Sequence, residues 1–209
     1  MKEKLKAFFT GTAFRCVAVL LGIVLVSGAL LAIFNDLLFV SAEERFNRTL
    51  AKIYGKTVST TTVEFTPEEA VYGGGTVNAA YLVDDGNYLV QTTGNGGYSN
   101  GTVTLWTVLS CEGSRENDDL VWKGIEKVVY ESNEKQSYIS KIKSKFYASF
   151  TVHNDELLAG KKFTAAAIAD SEGIFTLSAG ASRSSAAIVN AVNTAIDFFT
   201  AHILKEAEA

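Results

Sequence analysis

The chain has little of what metal and hydrolase chemistry requires. Two cysteines and two histidines are spread through 209 residues. Cys16 sits at the start of an apolar run, Cys111 lies far beyond it, and His153 and His202 stand apart from each other and from Cys111. No combination has metal-ligand spacing, which excludes a structural zinc site. Neither histidine has the context of a Ser-His-Asp hydrolase. Basic residues are also in deficit: 19 Lys and Arg against 23 Asp and Glu give a net charge of -4. With no basic stripe and no aromatic-plus-basic cluster, a nucleic-acid partner is excluded. Internal repeats and low-complexity segments are missing too. A chain of this length suits one anchor plus one domain.

Charge is absent from Val17 to Phe34, VAVLLGIVLVSGALLAIF. At about 1.5 Å per residue the run spans about 27 Å, close to the thickness of a hydrocarbon core. The positive mean hydropathy of the chain comes mostly from this segment. Lys2, Lys4, Lys6 and Arg15 precede it against Glu3 alone, and Asp36, Glu43 and Glu44 follow. That asymmetry predicts a cytoplasmic N-terminus over 1–15, a transmembrane anchor over 16–40 held in membrane lipid, and an extracytoplasmic domain over 41–209. Cys16 and Cys111 are then separated by the cytoplasmic membrane and cannot pair. Val40-Ser41-Ala42 has the small residues of a signal-peptide cleavage site, but the run exceeds a usual signal core and Asn35 and Asp36 interrupt the approach. Phe14-Arg15-Cys16 offers no pilin processing site, and Cys16 precedes the run where a lipoprotein cysteine would follow it. A retained anchor is the expectation.

Beyond the anchor, AEERFNRTLAKIY (Ala42 to Tyr54) places Phe46, Leu50, Ile53 and Tyr54 on one helical face, with Gly55 as the stop. Lys56 to Phe65 has the β-branched content of a strand, closed by a turn at Pro67. Val77 to Val83 and Tyr88 to Thr92 flank the hairpin turn Asp84-Asp85-Gly86-Asn87. Gly94 to Gly101 reads as a flexible glycine-rich loop. Thr102 to Ser110 follows as a strand with Val103, Leu105, Thr107 and Leu109 on one face, then a turn at Glu112-Gly113 and a strand over Val121 to Tyr130. Gln136 to Phe150 has helical spacing, with Tyr138, Ile142, Phe146 and Phe150 on a buried face. Phe163 to Ile168 and Ile174 to Leu177 are short apolar runs. Ser185 to Leu204 is a helix, capped by Ser184 or Ser185. The sum is an α+β domain with a mainly antiparallel sheet and flanking helices.

One stretch stands out. Ser178-Ala179-Gly180-Ala181-Ser182-Arg183-Ser184-Ser185 is a small-residue loop running straight into the last helix. Free N–H groups and the positive end of the helix dipole favour a phosphate there. Gly180 and Ala181 permit close approach, Arg183 adds a cation, and Ser182, Ser184 and Ser185 supply hydroxyls. Taken alone, the pattern is that of an ordinary serine-rich cap.

Gly180-Ala181-Ser182-Arg183-Ser184-Ser185 followed by Ala186-Ala187-Ile188-Val189-Asn190-Ala191-Val192 resembles the C-terminal signature of the FMN-binding domain family. That family includes the G subunit of the Rnf electron-transport complex and the C subunit of the sodium-pumping NADH:quinone reductase. The N-terminal span, the helix AEERFNRTLAKIY, the hairpin before Gly97-Tyr98 and the segment around Gln136-Ser137-Tyr138 are similar in order, so the resemblance covers nearly the whole chain. It implies FMN joined through a phosphoester to Ser182, attached from FAD by a flavin transferase, in an electron-carrier subunit that works with other membrane subunits of an Rnf-like, ion-translocating complex. It also implies Tyr98 and Tyr138 near the flavin ring, although composition by itself puts those aromatics in the core. Glu131 reads as a solvated strand-end charge. At three places the chain departs from the family pattern: Thr176 where an acidic residue is usual, Ala179 where Ser or Thr is usual, and Glu131 to Gln136 in place of a Glu-Thr-Pro-Gly-Leu-Gly segment. These departures motivate an alternative reading, a membrane-tethered structural or binding module of the same fold without flavin.

Overall fold

The computed structural model describes residues 12–38, 40–164, 174–175 and 181–204. It divides into two units, 1–56 and 57–209. The first contains helix α1 (Thr12–Leu38), whose stretch Phe14–Asn35 is long and apolar enough to cross a membrane and whose side chains stand exposed. Helix α2 (Ala42–Tyr54) has the extent expected from its sequence. Ser41 Oγ accepts the Glu44 amide at 3.1 Å, Glu43 and Glu44 complement the positive end of the dipole, and Lys52 the negative end. Gly55, at φ 70°, closes the helix by donating its amide to the Ala51 carbonyl at 2.8 Å. Leu50 and Ile53 are buried, as the amphipathic pattern predicts.

The second unit is built on an antiparallel sheet of six strands: β1 (Thr60–Thr62), β2 (Val71–Tyr72), β3 (Gly75–Val83), β4 (Tyr88–Gly94), β5 (Thr102–Glu112) and β6 (Val121–Glu134). The order is β1-β3-β4-β5-β6, and β2 shares the β3 edge with β1. The β3–β4 hairpin turns at Asp84–Asn87 as expected, with Gly86 at φ 86°. Helices α3 (Ser144–Val152) and α4 (Asn154–Leu158) follow β6. Two short strands, β7 (Phe163–Thr164) and β8 (Ile174–Phe175), then pair in parallel, and helix α5 (Ser182–Phe198) ends in a wider π-helical turn over Phe199–Leu204. The α+β class with a mainly antiparallel sheet is therefore what the chain adopts.

The core lies between α5 and one face of the sheet. Ile188, Val192, Ile196, Phe199 and Ile203 meet Val90, Val103, Leu105, Leu109 and Ile125. Complete burial of an aliphatic or aromatic side chain is worth about 1.5–3 kcal/mol, and α5 contributes many of them. Ser182–Leu204 also has the length and apolarity of a membrane span, but 67% of its most apolar window is buried, so its hydropathy reflects this core.

The structure corrects several boundaries. Of the strand expected over Lys56 to Phe65, only Thr60–Thr62 joins the ladder, because the Ser59 amide goes to the Asp84 carboxylate and a Thr66–Glu69 turn draws the chain away. On β5, Trp106 and Val108 are buried along with Val103, Leu105, Thr107 and Leu109, so alternation marks one face of a strand buried on both. The helix expected over Gln136 to Phe150 begins only at Ser144, after a 3-10 turn over Ile139–Lys141. The chain turns inward at Gln136 instead, with Lys135 left-handed at φ 58°, and Tyr138 faces solvent while Ile142 and Phe150 are buried. Helix α5 starts at Ser182, not Ser185, and its N-cap is Ala181, so Ser184 and Ser185 occupy the first turn.

Candidate functional site

The start of α5 is where the sequence places its candidate chemistry. Ala181 supplies no side-chain acceptor, and the first helical bond of α5 runs from the Ser185 amide to the Ala181 carbonyl at 2.9 Å. The amides of Ser182, Arg183 and Ser184 thus precede the helical ladder and carry the positive end of a 17-residue helix. Ser182 and Arg183 are exposed, whereas Ser184 and Ser185 are buried. The three hydroxyls therefore have different fates. Ser185 Oγ donates to the Ser182 carbonyl at 3.0 Å, Ser184 Oγ donates to Gln136 Oε1 at 2.9 Å, and Ser182 alone presents its side chain to solvent. Gly180, the other loop residue expected here, lies outside the described residues, as do Thr176 and Ala179.

Tyr98 and Tyr138 are not in the core. Tyr98 is 66% exposed and Tyr138 54%. Tyr98 heads a tight turn in the β4–β5 connection, and Tyr138 stands just past β6, where Lys141 Nζ sits 4.2 Å from the centre of its ring in a cation–π contact. Glu131 is exposed near the end of β6, as expected of a solvated charge, and accepts from the Gln91 side chain at 2.5 Å across the sheet face.

Sequence reasoning missed Gln136. It is 3% exposed, and its side-chain amide bonds the backbone of Tyr98 in both directions while accepting from Ser184. It thus draws together the β4–β5 connection, the end of β6 and the first turn of α5. No local signal marks such a residue. Asn190 adds a second tie, donating to the Asn95 carbonyl at 2.8 Å.

A cleft of about 880 Å3 lies at the hairpin end of the sheet, lined among others by Ser59, Leu82, Asp84, Tyr88, Arg115 and His202. Its lining includes none of the residues proposed from the sequence to hold a cofactor. Burial pushes the neighbouring Cys111 thiol up to about 12, so this cysteine is a packed side chain and no nucleophile. Among the described residues no group of His, Cys, Asp and Glu has the arrangement of a metal site. No family model, curated protein or solved structure matches the chain.

Proposed function

We propose that the protein is a membrane-anchored electron-carrier subunit of an Rnf-like ion-translocating oxidoreductase complex, with FMN carried as a phosphoester on Ser182. One observation carries the reading: of the three serines at the start of α5, only Ser182 is exposed, and it is the first helical residue, beside amides that the helix leaves free. A phosphate esterified there meets those N–H groups and the helix dipole, and the exposed Arg183 adds a cation. The residues present therefore fit the group.

The chain's own residues have distinct parts in this reading. Ser182 supplies the oxygen that replaces AMP on the FMN half of FAD when a flavin transferase acts. The α5 amides and Arg183 hold the phosphate. Tyr98 and Tyr138 offer aromatic faces to the ring, which itself supplies one- or two-electron chemistry. Helix α1 keeps the domain at the cytoplasmic membrane, on its outer side by the charge asymmetry of the sequence, next to the other membrane subunits. The alternative, a tethered binding module without flavin, draws on Thr176 and Ala179, where the family motif is not kept.

Full-length protein from cells containing the transferase is to be denatured and weighed intact. The expected result is the mass increment of one FMN and yellow colour that survives denaturation. An unmodified mass from such cells removes the electron-carrier reading and leaves the tethered module.

A further inference from the structure

Gln136 has every hydrogen-bonding position of its side-chain amide engaged. Oε1 accepts from the Tyr98 amide at 3.2 Å and from Ser184 Oγ at 2.9 Å, while Nε2 donates to the carbonyls of Tyr98 at 3.1 Å and Glu134 at 3.3 Å. Its own amide donates to Asn133 Oδ1 at 3.2 Å. The partners fix which end of the amide is oxygen: a backbone N–H requires an acceptor, and two carbonyls require a donor. A buried group satisfied in this way is rigid, because losing any partner leaves a polar atom stranded away from water.

The backbone around it is shaped to admit it. A Cβ on Gly97 or Gly101 would overlap the Gln136 amide. Ser99 and Asn100 take left-handed φ of 53° and 55°, and Lys135 takes 58°; of the described non-glycine residues with positive φ, only Asp118 lies elsewhere. Backbone held in sparsely populated conformations persists where the surroundings over-determine it, and it concentrates at functional sites.

We infer that Gln136 is a positioning residue that locks the Tyr98 turn to the first turn of α5, so that Tyr98 and Ser182 present one surface to the flavin ring and its phosphate. The cofactor-directed half of this inference rests on the proposed attachment at Ser182. Ser184, two residues into the helix, points inward and is gripped; Ser182 points outward and is left for the ester. Tyr98 is held by its backbone, which leaves its ring outside.

The test uses the full-length protein purified in detergent after co-expression with the transferase. Gln136→Glu keeps the shape but sets a carboxylate oxygen against the carbonyls of Tyr98 and Glu134, and Gln136→Leu removes the bonds outright. Both variants are expected to speed hydrogen exchange at the Tyr98 and Gly101 amides roughly tenfold. An aromatic ring close to a flavin quenches its fluorescence, so Tyr98→Leu is expected to brighten the attached flavin. Gln136→Glu should brighten it to the same extent, and the double variant should be no brighter than either single one. Ser184→Ala, which removes one bond and leaves the rest, should give the same changes to a smaller degree if the Gln136 variants misfold. Exchange at wild-type rates overturns the inference. So does faster exchange with flavin fluorescence unchanged, or a Tyr98→Leu variant no brighter than wild type, since Gln136 would then be a structural tie only. Wild-type protein lacking flavin instead removes the proposed function, and with it the flavin-directed half of the inference, while hydrogen exchange still decides the tie itself.

Discussion

Gly94, the last residue of β4, lies so near the carbonyl of Ala187 on α5 that a Cβ at position 94 would overlap it and the Ala191 amide as well. Ala187, Ala191 and Ala195 are fully buried and recur every four residues, so one face of the helix is a strip of methyl groups. Helix and strand approach each other backbone to backbone along that strip. The approach places the start of α5 beside the β4–β5 connection.

Gly94→Ala should therefore push α5 away from the sheet. A cost of about 2–3 kcal/mol is expected for overpacking at a site faced directly by the α5 backbone, which lowers Tm by roughly 5–10 °C for a domain of this size. Gly73→Ala, at a position with open space around its Cβ, is the control and should leave Tm unchanged. Thermal melts that show no difference between the two variants would mean that the helix is not seated as tightly as the geometry indicates.

If FMN is attached as proposed, the three serines at the head of α5 separate attachment from stability. Ser182→Ala should abolish the FMN mass increment and leave stability within about 0.5 kcal/mol of wild type, because its side chain is exposed. Ser185→Ala should keep the increment and cost about 1 kcal/mol, since its buried hydroxyl is bonded to the Ser182 carbonyl. Intact mass together with melting curves reads both. Flavin lost from Ser185→Ala and kept in Ser182→Ala would move the ester to the wrong residue for this structure.

Periodicity and turn chemistry make much of this fold legible in the sequence. Helix α2 with its Gly55 stop, the hairpin at Asp84–Asn87, and the buried face of α5 all follow from local pattern, because each is decided by neighbours within a few positions. The start of α5 is not so decided. A hydroxyl before an apolar run reads as an N-cap, yet Ser184 and Ser185 bond to Gln136 and to Ser182, and the cap falls to Ala181. Gln136 itself is invisible locally, since a glutamine after a strand ordinarily faces water, and its partners lie 38 and 48 residues away. Glycines 94, 97 and 101 read as a flexible loop because composition does not distinguish a glycine that bends from one that makes room. The exposure of Tyr98 and Tyr138 went the same way: aromatic residues default to the core until contacts say otherwise.

Cys111 and Tyr147 give the domain an alkaline limit. Burial raises both groups to about 12, from 9.0 for the thiol and 10.0 for the phenol. Each pKa is higher folded than unfolded, so the neutral forms are favoured in the native state. Their contribution to stability is complete below the unfolded values and is lost as pH rises through them towards 12. Denaturant titrations should show stability level from pH 7 to about 8.5 and falling steadily above about 9. Alkylation at pH 9 should label Cys111 about five hundredfold more slowly in the folded protein than in the unfolded one, from thiolate fraction alone. Labelling at the rate of a free thiol would show that this part of the core opens.

The membrane assignment turns on α1 and not on α5, although both have the length and apolarity of a span. The α1 stretch Phe14–Asn35 has none of its window buried, so water is a poor solvent for that whole surface, while the α5 window is 67% buried in the domain. Leu25→Asp with Ala29→Asp, two carboxylates near the middle of the run, should cost about 5–7 kcal/mol of insertion energy. That pair is expected to move the protein from the carbonate-washed membrane pellet to the soluble fraction, with the melting transition of the folded domain retained. Orientation is read separately. In a Cys16→Ser background, a cysteine at the exposed position Ala201 should react with a membrane-impermeant maleimide applied to intact cells. Labelling only after the cells are broken would put the domain on the cytoplasmic side and overturn the orientation expected from the charge asymmetry.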